Sequence, residues 1–88
     1  MDDNTLKYRV AGNLKTSTTG KYLFTLIYDL SNGQGRIQIS IGKLSDILKI
    51  SESAVRSNLH RLEQKGYILI RKIFESDGTR KANEYIIK

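Results

Sequence analysis

A stripe of polar and basic side chains lies at helical spacing within residues 52–65. Its positions follow i, i+3, i+4, i+7, i+8 and i+11, which puts them on one helix face: Ser53, Arg56, Ser57, His60, Arg61 and Gln64. Arginine bonds guanine edges or phosphate through two N–H groups, glutamine pairs with adenine, and serine suits either. The stripe contains no acid, whereas a solvated helix face usually mixes glutamate with lysine. This polar stripe predicts base contacts in a DNA major groove, with a solvated surface as the alternative.

The charge of the chain agrees with a polyanionic partner. Fifteen Lys and Arg residues against nine Asp and Glu residues give the 88-residue chain a net charge of +6. Residues 1–32 carry a net charge of +1 and residues 33–88 a net charge of +5. Nucleic acid is the commonest partner of a small basic domain. A charge of this size also serves solubility alone, so the positions of the cations carry more weight than their number.

Several classes of function are excluded or disfavoured by what the sequence lacks. It has no cysteine, so disulfides, thiolate metal sites and thiol chemistry are excluded. The single histidine, His60, has no second His or Cys to support a metal site, and a polar contact is its expected role. No Gly-rich phosphate loop, carboxylate pair or Ser/His/Asp set is present, so we expect neither catalysis nor a cofactor. No apolar run approaches a membrane span and the acidic N-terminus is not a secretory signal, which predicts a cytoplasmic, nucleoid-associated protein.

Hydrophobic periodicity predicts a single α+β domain over residues 17–88, preceded by an arm or strand at 1–16. Leu23, Leu26, Ile27 and Leu30 form the apolar stripe of the first helix, while residues 55, 59 and 62 bury the face of the third helix opposite the polar stripe. Serines are the expected N-caps. The predicted order is helix 17–31, strand 36–40, helix 41–48, helix 52–65, strand 67–74, turn 75–81 and strand 82–87.

The last two strands are predicted to form a hairpin closed by Asp77-Gly78 as a two-residue turn. In that register, facing residues have numbers that sum to 155. This register pairs residues of opposite charge with each other and apolar residues with each other, as cross-strand energetics favour. The pairs are Glu75 with Arg80, Arg71 with Glu84, Ile70 with Tyr85, and Ile68 with Ile87.

Residues 44–66 read LSDILKISESAVRSNLHRLEQKG. This segment resembles the second helix, turn and recognition helix of the winged helix-turn-helix domains found in MarR-like and related bacterial regulators. Two positions depart from the common pattern: Ser45 replaces the usual Ala, and Lys49 replaces the Gly that often makes the turn. We therefore expect either a left-handed backbone conformation at Lys49 or a turn of another shape. The resemblance covers residues 17–88 as topology. It implies a three-helix core with a small three-stranded antiparallel sheet and a β-hairpin wing.

The resemblance also implies roles for residues outside the polar stripe. The wing at 75–81 is expected on the DNA backbone, with Thr79, Arg80 and Lys81 as contacts. Lys43 and the helix N-terminus at Ser51 are further phosphate candidates. Asn58 lies on the flank of the third helix, where it either reaches a phosphate or bonds a neighbouring backbone group.

We therefore expect a sequence-specific protein that binds double-stranded DNA, a bacterial transcriptional regulator, with the helix at 52–65 in the major groove. The resemblance implies a homodimer on a palindromic site, for which residues 1–16 and the first helix are the available contacts. Two alternatives remain open. One is a winged-helix module that binds protein, and the other is the DNA-binding domain of a replication or partition initiator.

Overall fold

The computed structural model describes residues 14–88 as a small α+β domain of three helices and a three-stranded antiparallel sheet. Helix α1 spans Thr18–Leu30, α2 spans Ile41–Leu48 and α3 spans Glu52–Gln64. Strand β1 (Arg36–Gln38) lies between α1 and α2, whereas β2 (Ile68–Arg71) and β3 (Glu84–Ile87) follow α3. This order confirms the predicted sequence of elements. It is compatible with a winged helix without being specific to it. Of the arm or strand predicted at 1–16, residues 1–13 lie outside the described residues.

Each helix begins at a serine whose hydroxyl accepts a hydrogen bond from the backbone N–H three residues later. Ser17 caps α1, Ser40 caps α2 and Ser51 caps α3, with O···N distances of 3.0, 3.0 and 3.1 Å. A cap satisfies one of the donors that the first helical turn leaves unpaired. Local sequence chemistry therefore sets the start of all three helices.

The turn between α2 and α3 is formed with Ser45 and Lys49, the two residues that differ from the winged helix-turn-helix pattern described above. Lys49 adopts the left-handed conformation, with φ of 58°, and its N–H donates to the carbonyl of Ser45. The Ser45 hydroxyl donates to the carbonyl of Ile50. The hydroxyl thus closes a turn that contains no glycine, and the left-handed conformation expected for Lys49 is confirmed.

The sheet has the order β1-β3-β2, so the strand that comes last in the chain lies in the middle. In the β2–β3 pair, Ile68 faces Ile87, Ile70 faces Tyr85 and Arg71 faces Glu84. The predicted register is confirmed for these strands. The strands are shorter than predicted, because regular pairing ends at Arg71 and resumes only at one bridge nearer the tip.

The tip of the hairpin differs from its prediction. Phe74, and not Glu75, faces Arg80. The Glu75 carbonyl accepts from Gly78 N at 3.0 Å, and Gly78 is left-handed with φ of 90°. These features describe a three-residue loop at 76–78 of the kind in which a type I turn is followed by a left-handed glycine. Between this bridge and the regular ladder, the two residues 72–73 oppose the three residues 81–83. The one extra residue on the returning strand restores the predicted register at Arg71 and Glu84.

The core lies between the helices and one face of the sheet. Helix α3 packs against both α1 and α2, and its Val55, Leu59 and Leu62 are buried. The sheet contributes Ile68 and Tyr85, each about 1% exposed. The full buried apolar cluster is Leu14, Leu23, Phe24, Ile27, Leu44, Val55, Leu59, Leu62, Ile68 and Tyr85. Because this cluster fixes the inward face of α3, it also fixes which face of that helix meets solvent.

Candidate nucleic-acid interface

Helix α3 carries the polar stripe on its solvent side. All six of its members are exposed: Ser53, Arg56, Ser57, His60, Arg61 and Gln64. The helix begins at the Ser51 cap and ends at Lys65, beyond which Gly66 is left-handed with φ of 80°. The stripe therefore lies on continuous helix over its whole length, about three and a half turns by helix geometry. A helix of this kind, about 10–12 Å across, matches the width of a major groove.

An acidic side chain also reaches this face, although the polar stripe itself contains no acid. Glu52 Oε1 lies 3.3 Å from Arg56 Nη2 in an i,i+4 ion pair, and both side chains are more than half exposed. The spacing of four residues is the signal that would have predicted this pair. Arg61, in contrast, forms no ion pair or side-chain hydrogen bond within residues 14–88. The two arginines of the stripe thus differ in their freedom to bind an anion.

A cleft of about 600 Å³ separates α3 from the hairpin. Its basic lining comes from both sides, with Arg56 and His60 on α3 and Lys72, Arg80 and Lys81 on the hairpin. The remaining lining residues are Ser40, Ile41, Leu59, Glu63, Ile70, Ala82, Asn83 and Tyr85. The structure thus brings Arg56 of the helix and three cations of the hairpin to the same concave surface.

Two side chains at the cleft have structural roles. Glu63 Oε2 accepts a hydrogen bond from Ile70 N at 2.9 Å, which ties the end of α3 to β2. Tyr85 is buried, and burial raises the pKa of its phenol, opposed by the hydrogen bond with Asn83 and by the charges of Arg80 and Arg56. The sequence interpretation assigned neither role, because both contacts depend on how the helix sits on the sheet.

Two of the three hairpin cations that line the cleft have partners within the chain. Lys81 Nζ lies 2.8 Å from Glu75 Oε1, and Arg80 Nη2 donates to Asn83 Oδ1 at 3.1 Å. Thr79 N donates to Asp77 Oδ1 at 2.9 Å, and hydrogen bonds from the Thr79 backbone and side chain lower the pKa of Asp77. Thr79 is thus engaged in closing the loop, while Arg80 and Lys81 are exposed and hold their partners at the surface.

Asn58 lies on the flank of α3 and is half-buried. Its amide nitrogen donates to the carbonyl of Ala54 at 2.8 Å, and its oxygen accepts from the Ser17 hydroxyl at 2.7 Å. Since Ser17 also caps α1, Asn58 links the start of α1 to the middle of α3. Of its two expected roles, the structure shows the contact with neighbouring groups of the chain.

The remaining phosphate candidates lie at helix starts. Lys43 is exposed in the first turn of α2, and Ser51 is exposed at the start of α3. A Cβ added at Gly42 would lie 3.9 Å from Glu52 Oε2, which places the starts of the two helices side by side. The Glu52 carboxylate therefore stands between these two helix starts.

Comparisons with protein-family models, with curated proteins and with solved structures give no match to this chain. Across residues 14–88, no group of three or more His, Cys, Asp or Glu side chains is arranged to hold a metal ion. No helix in the same stretch is long and apolar enough to cross a membrane. The arrangement of side chains on this surface is therefore what a functional proposal must rest on.

Proposed function

We propose that this chain is a winged helix-turn-helix domain that binds double-stranded DNA in a sequence-specific manner and regulates transcription in a bacterial cell. The observation that carries the proposal is the shared cleft, where Arg56 and His60 from α3 lie across from Lys72, Arg80 and Lys81 from the hairpin. Two cationic elements that face one concavity can grip a single polyanion from two sides. A scatter of cations that only aids solubility has no reason to converge in this way.

In the proposed complex, α3 enters the major groove and the hairpin lies on the backbone beside it. Arg61 and Gln64 supply the geometry for bidentate pairing with guanine and adenine, and Ser53 and Ser57 bond to either class of acceptor. Arg80 and Lys81 neutralise phosphates and release counterions, which gives affinity that is independent of sequence. Asn58 positions α3 through Ser17 and is not assigned a DNA contact.

A winged helix-turn-helix domain of this size reads few base pairs, so a homodimer on a palindromic site completes the proposal. Tyr22 on α1 is 63% exposed and lies outside the cleft. It is the most exposed large hydrophobic side chain of residues 14–88 and is therefore the contact we assign to the partner copy. The same exposed residue would serve the alternative function of a module that binds another protein.

The test begins with selection of binding sites from a random duplex library. Affinity is then measured against salt concentration on a selected and a scrambled duplex, for the wild-type protein and for the Arg80→Ala/Lys81→Ala variant. We expect the variant to bind both duplexes more weakly and its slope of log K against log salt to flatten by roughly 0.9 per lost phosphate contact. A matched control is Lys15→Ala/Lys88→Ala, which removes the same charge next to Tyr67 and away from the cleft.

Three outcomes would contradict the proposal. No enrichment of any sequence argues against specific binding, and a salt slope near zero favours the protein-binding module. An equal flattening in the control variant would mean that net charge, and not the cleft, binds the duplex.

A further inference from the structure

The hairpin carries a large apolar side chain that the fold does not use. Phe74 is 57% exposed and belongs neither to the buried core nor to the half-buried residues that pack against it. Water contact with an exposed phenyl ring is unfavourable. The ring is therefore available for a contact that the isolated domain does not make.

Three cations lie near Phe74, together with the carboxylate of Glu75, which pairs with one of them. Phe74 faces Arg80 directly across the hairpin, and residues paired in this way project from the same face. Lys72 precedes it by two residues, and Lys81 follows Arg80. All three of these cations line the cleft. An aromatic ring set among lysine and arginine suits a partner that is anionic on its outside and flat and apolar within, which describes stacked nucleobases.

The backbone holds Phe74 firmly at this place. Beside it, Glu75 N donates to Thr79 O at 2.7 Å, and Lys81 N donates to Ile73 O at 2.9 Å. These two bonds bracket the residue across the hairpin. The ring is thus presented by a closed ladder and not by the loop at 76–78, so little backbone order has to be gained on binding.

We propose that Phe74 inserts between adjacent base pairs in the minor groove next to the major groove that α3 enters. The inference rests on the proposed function and extends it, since it assigns to the hairpin a base contact as well as a backbone contact. Insertion partly unstacks one base step and kinks the duplex. Pyrimidine–purine steps deform most easily, so selected sites are expected to contain such a step at a fixed distance from the bases read by α3.

The chain contains no tryptophan, so a single substitution provides a site-specific fluorescent probe. Phe74→Trp and, as a control, Leu69→Trp each introduce one indole at an exposed position. The first lies near the tip of the hairpin, and the second lies on β2, where Leu69 is 41% exposed and, unlike its neighbour Ile70, does not line the cleft. On titration with a selected duplex, we expect stacking to quench the Phe74→Trp emission and to leave the Leu69→Trp emission nearly unchanged. A second measurement uses a duplex labelled at both ends, whose end-to-end distance falls by energy transfer when the wild-type protein kinks it.

Phe74→Ala tests the same contact without a probe. We expect it to weaken binding to the selected duplex by about 5- to 150-fold, the range that loss of one aromatic–base contact gives, and to abolish the change in energy transfer. Circular dichroism and thermal unfolding should match the wild-type protein, because the ring is outside the core.

The outcomes separate this inference from the function on which it rests. If the wild-type protein binds no duplex, both fail together. If it binds specifically but Phe74→Ala binds equally well and Phe74→Trp is not quenched, the insertion is wrong and the proposed function stands. Quenching without a kink, with equal affinity for single strands, would mean stacking on an unpaired base and would also overturn insertion. A change in the sedimentation of the free protein with Phe74→Ala, without a change in DNA affinity, would assign the ring to a protein interface.

Discussion

Lys81 Nζ lies 2.8 Å from Glu75 Oε1 near the tip of the hairpin, and each side chain is about half exposed. An ion pair at this level of exposure contributes little to stability, because water and salt screen it. Its larger effect is on any anion that approaches Lys81, since a phosphate must compete with the carboxylate already there. Glu52 stands in the same relation to Arg56 on α3.

Removal of the competing carboxylate is therefore expected to strengthen DNA binding. Glu75→Gln should raise the affinity for selected and scrambled duplexes alike by about 2- to 5-fold, the scale of an exposed ion pair. Titration at several salt concentrations measures the effect, which should shrink as salt rises. Asp29→Asn on α1 is the matched control for net charge, and an equal gain in that variant would refute a local role for Glu75.

The two arginines of the polar stripe should respond differently to substitution. Arg61→Ala is expected to weaken binding to a selected site by about 1–3 kcal/mol and to relax specificity, as loss of a base contact does. Arg56→Ala should cost less, since Glu52 already holds its guanidinium. Both residues are exposed, so thermal unfolding should hardly change. Wild-type affinity in both variants, measured on the selected and scrambled duplexes, would exclude base reading by α3.

The link from Asn58 to Ser17 predicts a coupling in stability between α1 and α3. Asn58→Ala removes a donor to Ala54 O and an acceptor for the Ser17 hydroxyl, at an expected cost of about 1–3 kcal/mol in the free energy of unfolding. Ser17→Ala should cost about 0.5–2 kcal/mol. The double variant should lose less than the sum, because both changes remove the same bond.

Ser40→Ala provides the comparison for this cycle in denaturant unfolding. It removes the N-cap of α2, where the Ser40 hydroxyl accepts a hydrogen bond from Lys43 N. Among the described hydrogen bonds, Ser40 has none with Asn58. The cost of Ser40→Ala should add to that of Asn58→Ala. Additivity in the Ser17 cycle as well would show that the Ser17–Asn58 bond contributes nothing in solution.

Burial of Tyr85 predicts a loss of stability in alkali. Burial raises the pKa of its phenol in the folded protein, while in the unfolded chain the group ionises near its usual value of about 10. Below a pH of about 10, the stability that comes from the raised folded-state pKa of Tyr85 is fully present. As pH rises above it, the unfolded chain loses the proton first, and stability falls until the folded-state pKa is passed. Denaturant unfolding of the wild-type protein and of Tyr85→Phe between pH 8 and pH 11 should show a steeper decline for the wild type, and parallel curves would contradict the shift.

Local chemistry made much of this fold predictable, and the hairpin tip shows where that stops. Serine caps, the apolar periods of the helices and the cross-strand pairing of Ile70 with Tyr85 are signals carried by neighbouring residues. They correctly predicted where the helices start and how β2 and β3 pair. Asp77-Gly78 is also a strong turn signal, yet it suits both a two-residue turn and a type I turn with a left-handed Gly78. The choice between them depends on how many residues each strand supplies, which local sequence does not specify.

The candidate site divides in the same way. The polar stripe was predictable because helical spacing alone puts its members on one face. Ile47 of α2 is 40% exposed whereas Leu44 is buried, because helical spacing puts Ile47 at the edge of the apolar face. The cleft and the exposure of Phe74 arise from the placement of the hairpin against α3. Residues far apart in the sequence set that placement, so periodicity does not contain it.

The position of β3 in the sheet has a consequence for biosynthesis. It pairs with both β1 and β2, yet of all the described strands it is the last to leave the ribosome. The helices can associate while it is still being made, but β1 has no strand to pair with until residues 84–87 have been translated. Contacts of such long sequence separation form slowly, and unpaired strand edges are prone to aggregate in the meantime. A message truncated before residue 84 would therefore release chains in which the helices can associate while β1 and β2 both lack the strand they pair with.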